Sequence, residues 1–239
     1  MVNASLLSND APLSSAEDVS PSFERYTKEV LLGDLWQRSP LSARDRSIIT
    51  LSVLIARNQS AQMPHYLNVA LDHGVTPAEV SGMVAHLAFY SGWANTVAAI
   101  DVVRAVFDLR GLDAAQLRPI DARPHPIDDM VEERRHAVVM RKFGQVAPGL
   151  VQLTRDILFQ DVWRSPELSL RDRCLITICS VIATAQTAQL AFYVNRAMDQ
   201  GVTRAELSDL LTHVAFYSGW SSAYTALAVV KDVFESRPD

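Results

Sequence analysis

The chain contains one sequence unit twice. The phrase His-Leu-Ala-Phe-Tyr-Ser-Gly-Trp at 86–93 returns as His-Val-Ala-Phe-Tyr-Ser-Gly-Trp at 213–220, an offset of 213 − 86 = 127 residues. A gap-free alignment of 36–107 with 163–234 at this offset leaves roughly half of the positions identical. A unit that is copied and fused is expected to pack against its copy about a pseudo-twofold axis, as a homodimer would. The period is too long for a solenoid repeat, so each copy is expected to be a small domain.

Each unit reads as a series of helices, and no strand alternation of useful length appears, so the predicted fold class is all-α. Ser42 and Asp45 form a capping-box-like start, which predicts a helix over about 43–57, and the second copy predicts one over 170–184. Thr76-Pro77-Ala78-Glu79 is a full capping box, which Thr203 and Glu206 repeat. Glycines are expected to end the preceding helices and to break the chain before the last one.

These signals divide the chain into four segments. We expect a flexible N-terminal arm at 1–14, a first repeat at 15–112, a Pro-rich linker with a helix at 113–139, and a second repeat at 140–239. The linker assignment rests on the prolines between Arg118 and Pro126, whose spacing prevents a helix.

Composition excludes several classes of function. The net charge is −5 and there is no block of Lys and Arg, so nucleic acid is not an expected partner. No apolar run reaches the roughly 18 residues that span a bilayer, and residues 1–22 do not resemble a signal peptide. Cys174 and Cys179 form no Cys-x-x-Cys pair and are expected to be small buried residues in a reduced cytoplasm. The histidines form no HExxH or Cys/His cluster, so no metal site is predicted.

The ordered motifs resemble the carboxymuconolactone decarboxylase family, which has the alkylhydroperoxidase-D-like helical fold. They are Leu-Leu-Gly-Asp-Leu-Trp at 31–36, then Leu-Ser-x-Arg-Asp-Arg, Ala-Leu-x-x-Gly-Val-Thr and His-Leu-Ala-Phe-Tyr-Ser-Gly-Trp. The resemblance implies two tandem repeats of this fold and a homotrimer that forms a pseudo-hexamer. It also implies cofactor-free decarboxylation, as in aromatic catabolism, of a small anionic lactone or β-keto-type acid.

The chain departs from the family's motifs at the residues that carry chemistry. The thiol peroxidase branch is excluded because neither copy has a pair of cysteines. Family members commonly carry a Glu, a Gln and then a His in the helix before the Gly-Val-Thr turn. Here the glutamine is present as Gln62 and Gln189, alanine replaces the glutamate, and Tyr66 and Tyr193 occupy the histidine position. The alternatives are a lyase or isomerase of related enolate chemistry in a specialised pathway, and a ligand-binding or assembly protein without catalysis.

Two sets of residues are candidates for a site. His86 lies one helical turn before Tyr90 and two before Trp93, and His213 stands in the same relation to Trp220, so each set is expected to share a stripe. The stripe is either a site wall with a general acid/base or a packing seam with a hydrogen-bonded core histidine. Tyr66 and Tyr193 could donate a hydrogen bond to an enolate or carboxylate, or could simply be packed.

Arginines are the candidate anion anchors. Arg44 and Arg46, with their second-copy equivalents, could bind a carboxylate substrate or could pair with a carboxylate between the copies. His65 has Phe192 as its counterpart, which favours the first-copy pocket, completed by helices of the second copy, as the functional one. The expected catalytic residues are thus His65, Tyr66, His86, Tyr193 and His213. The expected substrate-binding residues are Arg44, Arg46, Gln62, Tyr90, Trp93, Gln189 and Trp220.

Overall fold

The computed structural model describes residues 16–119 and 121–237, and every regular element in these ranges is a helix. The first repeat contains five α-helices: α1 (Pro21–Tyr26), α2 (Ala43–Ala56), α3 (Met63–Asp72), α4 (Pro77–Ser91) and α5 (Trp93–Arg110). A π-helical turn, Thr27–Leu32, continues α1, and a 3₁₀ turn, Leu35–Gln37, carries Trp36. The expected arm at 1–14 lies outside the described residues.

The second repeat has the same order of elements. Its helices are α7 (Pro148–Leu153), α8 (Leu170–Ala183), α9 (Leu190–Asp199), α10 (Arg204–Ser218) and α11 (Trp220–Ser236). A π-helical turn, Thr154–Phe159, and a 3₁₀ turn, Val162–Arg164, again follow the short first helix. The linker helix α6 spans Asp129–Phe143. The all-α class and the tandem arrangement are therefore confirmed, whereas the expected segment boundaries stay predictions.

The predicted helix starts are present with their capping bonds. The hydroxyls of Ser42 and Ser169 accept hydrogen bonds from the third amide of α2 and α8. Thr76 and Thr203 form complete capping boxes with the glutamates of α4 and α10. Each of these caps satisfies amides that the first helical turn leaves without an intrahelical partner.

A single glycine separates the last two helices of each repeat. Gly92 has φ 88° and Gly219 has φ 94°, in the left-handed region where a Cβ is unfavourable. The chain therefore turns between α4 and α5, and between α10 and α11, without a loop of any length.

The two repeats interlock through their central helices. Helices α2 and α8, one from each repeat, pack against each other, α2 also packs on α10, and α4 packs on α8. The core around the second repeat includes Ile49 and Val53 of α2, and the core around the first includes Ile176 of α8. The relation between repeats is thus pseudo-twofold, and each core is completed by the other repeat.

Reciprocal ion pairs join the N-terminal ends of α2 and α8 across this interface. Arg44 donates to Asp172 (2.8 Å) and to Glu79, and Arg171 donates to Asp45 (2.8 Å) and to Glu206 (2.6 Å). The same glutamates complete the capping boxes of α4 and α10, so one carboxylate fixes both a helix start and the contact between repeats.

Candidate active site

Two polar seams lie between the repeats, related by the pseudo-twofold axis. The first seam is the cluster of Trp36 and Tyr66 with His213 and Tyr217. The second seam is the cluster of Trp163 and Tyr193 with His86 and Tyr90. In both seams the tryptophan and one tyrosine come from one repeat, and the histidine and the other tyrosine come from its partner. Neither seam can form within a single repeat.

A chain of hydroxyls runs through the first seam. The indole N–H of Trp36 donates to the hydroxyl of Tyr217 at 2.8 Å, and that hydroxyl lies 3.1 Å from the hydroxyl of Tyr66. The rings of Trp36 and Tyr66 are stacked with centroids 6.1 Å apart. Because Tyr217 accepts from the indole, it can pass its own proton towards Tyr66, and the proton of Tyr66 is then left to donate onward.

The second seam contains the same three side chains, but the hydrogen bond between its tyrosines has the opposite donor. Trp163 donates to the hydroxyl of Tyr90 at 2.7 Å, and the hydroxyl of Tyr193 also donates to that oxygen, at 3.0 Å. Burial raises the pKa of both tyrosines above the ordinary value, that of Tyr90 strongly. The hydroxyls are therefore neutral at physiological pH and act as hydrogen-bond or proton donors.

The histidines lie behind these chains and have both ring nitrogens occupied. In the first seam, Arg46 Nη1 lies 3.3 Å from His213 Nδ1, and His213 Nε2 lies 2.8 Å from the hydroxyl of Thr50. A guanidinium can only donate, so Nδ1 accepts, and Nε2 carries the proton that is given to Thr50. Burial, with the charge of Arg46, lowers the pKa of His213 to about 3.

His86 has the equivalent environment in the second seam. Its Nδ1 lies 3.2 Å from Arg173 Nη1 and its Nε2 lies 2.7 Å from the hydroxyl of Thr177. Burial and the charge of Arg173 hold its pKa well below the ordinary value. Each histidine stacks on the seam tyrosine one turn later, Tyr90 or Tyr217. The acid/base role stays a prediction, and this geometry favours a neutral imidazole that positions the tyrosine.

The seams separate residues that the sequence analysis grouped into one pocket. Tyr66 belongs to the first seam and His86 to the second, because α4 packs on α8 of the other repeat. Arg44 lies in the ion pairs between the repeats, which is the alternative to substrate binding that the sequence left open. Arg46 is fully buried and pairs with Asp209.

The remaining candidates lie at or outside the edges of the seams. Trp93 and Trp220 are exposed at the starts of α5 and α11, where they contact Phe89 and Phe216. Gln62 and Gln189 are exposed residues that precede α3 and α9.

His65 lies at the edge of the first seam. Its ring is edge-on to Tyr66 with centroids 5.0 Å apart, and its Nδ1 is buried without a hydrogen-bond partner among the described residues. Burial lowers its pKa.

Sequence reasoning missed the tryptophans and the outer charges of the second seam. Trp36 and Trp163 are identical at the repeat offset, which was the available signal, but nothing in their spacing links them to tyrosines of the other repeat. Glu132 and Arg135 lie on α6, a helix without a counterpart among the described residues, so the repeat itself gave no hint of them.

Within residues 16–119 and 121–237, no group of His, Cys, Asp and Glu is arranged to hold a metal ion. None of the helices in these residues has the length and hydropathy to cross a membrane.

The fold and the paired seams define a duplicated helical protein whose candidate sites lie between the repeats. The model of the carboxymuconolactone decarboxylase family matches the chain twice, over residues 21–105 and 148–232. The protein therefore belongs to the carboxymuconolactone decarboxylase family.

Two relatives and one solved structure show how similar the chain is to other proteins in sequence and in fold. The 4-carboxymuconolactone decarboxylase of Acinetobacter baylyi is 26% identical over 100 residues, which are 42% of this chain and 75% of the relative. The nitrosuccinic acid decarboxylase of Metarhizium robertsii is 31% identical over 72 residues, 30% of this chain and 50% of the relative. A Burkholderia xenovorans protein described as a gamma-carboxymuconolactone decarboxylase subunit superposes with a TM-score of 0.59 at 19% identity, covering 98% of this chain and 95% of that one. This last likeness shows the fold.

Proposed function

We propose that the protein is a cofactor-free decarboxylase of a small anionic acid with an electron-withdrawing group on, or conjugated to, the carbon that bears the leaving carboxylate. Family membership and the names of the two curated relatives support decarboxylation. The observation that carries the proposal is the Trp–Tyr–Tyr hydroxyl chain in each seam, which ends on Tyr66 or Tyr193.

The chain of hydroxyls matches the demands of the reaction. When the carbon–carbon bond to the carboxylate breaks, carbon dioxide leaves and the electron pair moves onto the oxygen of the electron-withdrawing group. A hydroxyl aimed at that oxygen stabilises the developing charge, and the carbon must then take up one proton. Tyr66 supplies the hydroxyl directly, and Tyr193 supplies it when its O–H turns from Tyr90 to the substrate. The raised pKa of each tyrosine keeps the proton in place until the charge develops.

The buried histidines have a supporting role in this proposal. His213 and His86 are neutral and accept from an arginine, and their rings stack on Tyr217 and Tyr90. They fix the middle tyrosine of each seam, so that its hydroxyl stays within hydrogen-bond distance of the terminal tyrosine.

Matched tyrosine variants test the proposal. Carbon dioxide release from nitrosuccinate and from 4-carboxymuconolactone would be measured with the purified chain. We expect at least one of the variants Tyr66→Phe and Tyr193→Phe to lower kcat/KM by about a hundredfold or more, as removal of a positioned proton donor does. A variant with unchanged kcat/KM identifies the seam that does not react. Turnover that survives the double variant would contradict the proposal. Binding of either acid without carbon dioxide release would favour the non-catalytic alternative.

We also propose that copies of the chain assemble, with a homotrimer as the expected form. Equivalent apolar stripes are exposed on the last helix of each repeat, at Trp93, Val97 and Ile100 and at Trp220, Tyr224 and Leu227. Exposed stripes of this kind mark association surfaces. Light scattering would give the mass, and a monomer at micromolar concentration would contradict the expectation.

A cytoplasmic location is supported by the free cysteines.

A further inference from the structure

The two seams differ in the charges that surround their tryptophans. In the second seam the guanidinium of Arg196 lies 4.2 Å from the ring centroid of Trp163, and that of Arg135 lies 3.7 Å from the centroid of Phe159. At the repeat offset, Val69 is the counterpart of Arg196 and Leu32 is the counterpart of Phe159. Neither first-seam residue can hold an anion.

One carboxylate lies between these two guanidinium groups. Glu132 of α6 is buried, its Oε2 lies 2.7 Å from Arg135 Nε, and its Oε1 lies 3.5 Å from Arg196 Nη1. Two cations thus face one anion. The pair with Arg196 is the looser of the two, and Arg135 Nη2 is buried without a hydrogen-bond partner among the described residues. The cluster keeps a net positive charge and an unsatisfied donor.

Arg196 also lies next to the hydroxyl chain. It is three residues after Tyr193 on α9, so the two side chains share a helix face. Its charge favours ionised Tyr90 and Tyr193 and disfavours a charged His86. A group bound to Arg196 therefore lies within the electrostatic reach of the proposed proton donor.

Helix α6, which supplies Glu132, packs mainly on α7. It leaves a set of large apolar side chains exposed, which are Met130, Val131, Val138, Met140 and Phe143. Its ion pair with α9 joins Glu132 to Arg196.

We propose that Arg196 is the carboxylate anchor of the second seam, and that Glu132 occupies this anchor when no substrate is bound. A small carboxylate that replaces Glu132 keeps the ion pair of Arg196 and brings its own reacting carbon beside Tyr193. The acid class rests on the proposed function. The assignment moves the substrate-binding seam from the first repeat, where Arg46 is already paired with buried Asp209, to the second.

Succinate tests the anchor without any need for turnover. Binding of succinate to the full chain would be measured by titration calorimetry for the unmodified protein, Glu132→Gln and Arg196→Gln. We expect Glu132→Gln to bind about tenfold more tightly, because the competing internal carboxylate is gone. We expect Arg196→Gln to bind at least about tenfold more weakly, because a charge-assisted hydrogen bond is lost.

Two further variants complete the experiment. Arg25→Gln removes an exposed arginine paired with Glu29 on the surface, and it should bind succinate as the unmodified protein does. Arg196→Lys retains the charge and should recover part of the affinity, which guards against an Arg196→Gln chain that does not fold. No succinate binding to the unmodified protein or to Glu132→Gln would overturn the anchor, and so would equal affinities across all variants.

The result of the succinate experiment can be distinguished from the result of the test of the proposed function. Succinate binding that follows these variants, without carbon dioxide release from any acid, would support the anchor and contradict the decarboxylase. Carbon dioxide release that is insensitive to Arg196→Gln would support the decarboxylase and contradict the anchor.

Discussion

The two seams share their inner residues and differ in their outer ones. Each contains a tryptophan, two tyrosines, a histidine, a threonine and an arginine in the same contacts, at positions joined by the 127-residue offset. Around them, the first seam has His65 and Val69 where the second has Phe192 and Arg196. The inner residues bond across the interface between repeats, so a change in one repeat breaks a contact of the other. The outer residues bear no such constraint, and they have diverged.

The charge partner of the buried arginine has also changed between the seams. Arg46 pairs with the buried Asp209 of α10, whereas the counterpart of Asp209 in α4 is Gly82. A Cβ at Gly82 would lie 2.7 Å from the Cβ of Glu167, so the chain at Glu167 approaches α4 at this point. Glu167 then comes within 3.9 Å of Arg173. Burial without a closer carboxylate lowers the pKa of Arg173 to about 10.

Removal of the carboxylate partner of the buried arginine should therefore lower the free energy of unfolding by very different amounts in the two seams. This is the largest difference that we expect between them. Asp209→Asn leaves the charge of Arg46 buried and uncompensated, which should lower the free energy of unfolding by about 3 kcal/mol or more. Glu167→Gln removes a longer, partly exposed ion pair and should cost less than about 1 kcal/mol. Guanidinium unfolding of the two variants measures both values, and equal losses would show that the seams are electrostatically alike.

The buried histidines should make the protein sensitive to acid in a defined range. The pKa of His213 is about 3 in the folded chain and about 6.5 when unfolded. The unfolded chain therefore binds the extra proton first, so stability is fully present above about pH 6.5 and falls as the pH drops towards 3. At pH 5 this one residue should cost about 2 kcal/mol.

A substitution isolates that contribution. His213→Gln removes the titrating group, so its unfolding free energy should change less between pH 7 and pH 5 than that of the unmodified chain. His86, whose pKa is also lowered, supplies the matched variant His86→Gln. An unchanged pH slope in both variants would show that the histidines do not titrate as their burial requires.

The sequence carried most of the fold because its signals are local. Ser42, Thr76 and Gly92 set helix boundaries through contacts within a few residues, and each is where the pattern predicted. The duplication also predicted the pseudo-twofold relation. The long-range pairs were out of reach, because a sequence does not say which helix of the other repeat faces a given residue.

The candidate site shows this limit residue by residue. His86 and Tyr66 were both chosen from the sequence, but the fold assigns them to different seams. Tyr90 was chosen as part of a stripe, and the structure adds its bond from Trp163. Arg196 has no repeated counterpart, so the argument from duplication passed over it.

The cysteines mark the smallest difference between the repeats. Cys174 and Cys179 correspond to Ser47 and Ser52, whose hydroxyls donate to carbonyls one turn earlier in α2, at 2.8 and 2.7 Å. Both thiols are buried, and burial raises the pKa of Cys174 to about 12, so neither is a ready nucleophile.

The double variant Cys174→Ser, Cys179→Ser should consequently leave carbon dioxide release unchanged. Each new hydroxyl can donate to the preceding turn of α8, as Ser47 and Ser52 do in α2, which offsets part of the cost of burying a polar group. The loss in unfolding free energy should stay within about 1–2 kcal/mol. Denaturant unfolding and a turnover assay on the same preparation measure both quantities. A folded variant without turnover would place thiol chemistry in the second seam, beside Tyr193, and would make the two repeats differ in reaction type as well as in outer charge.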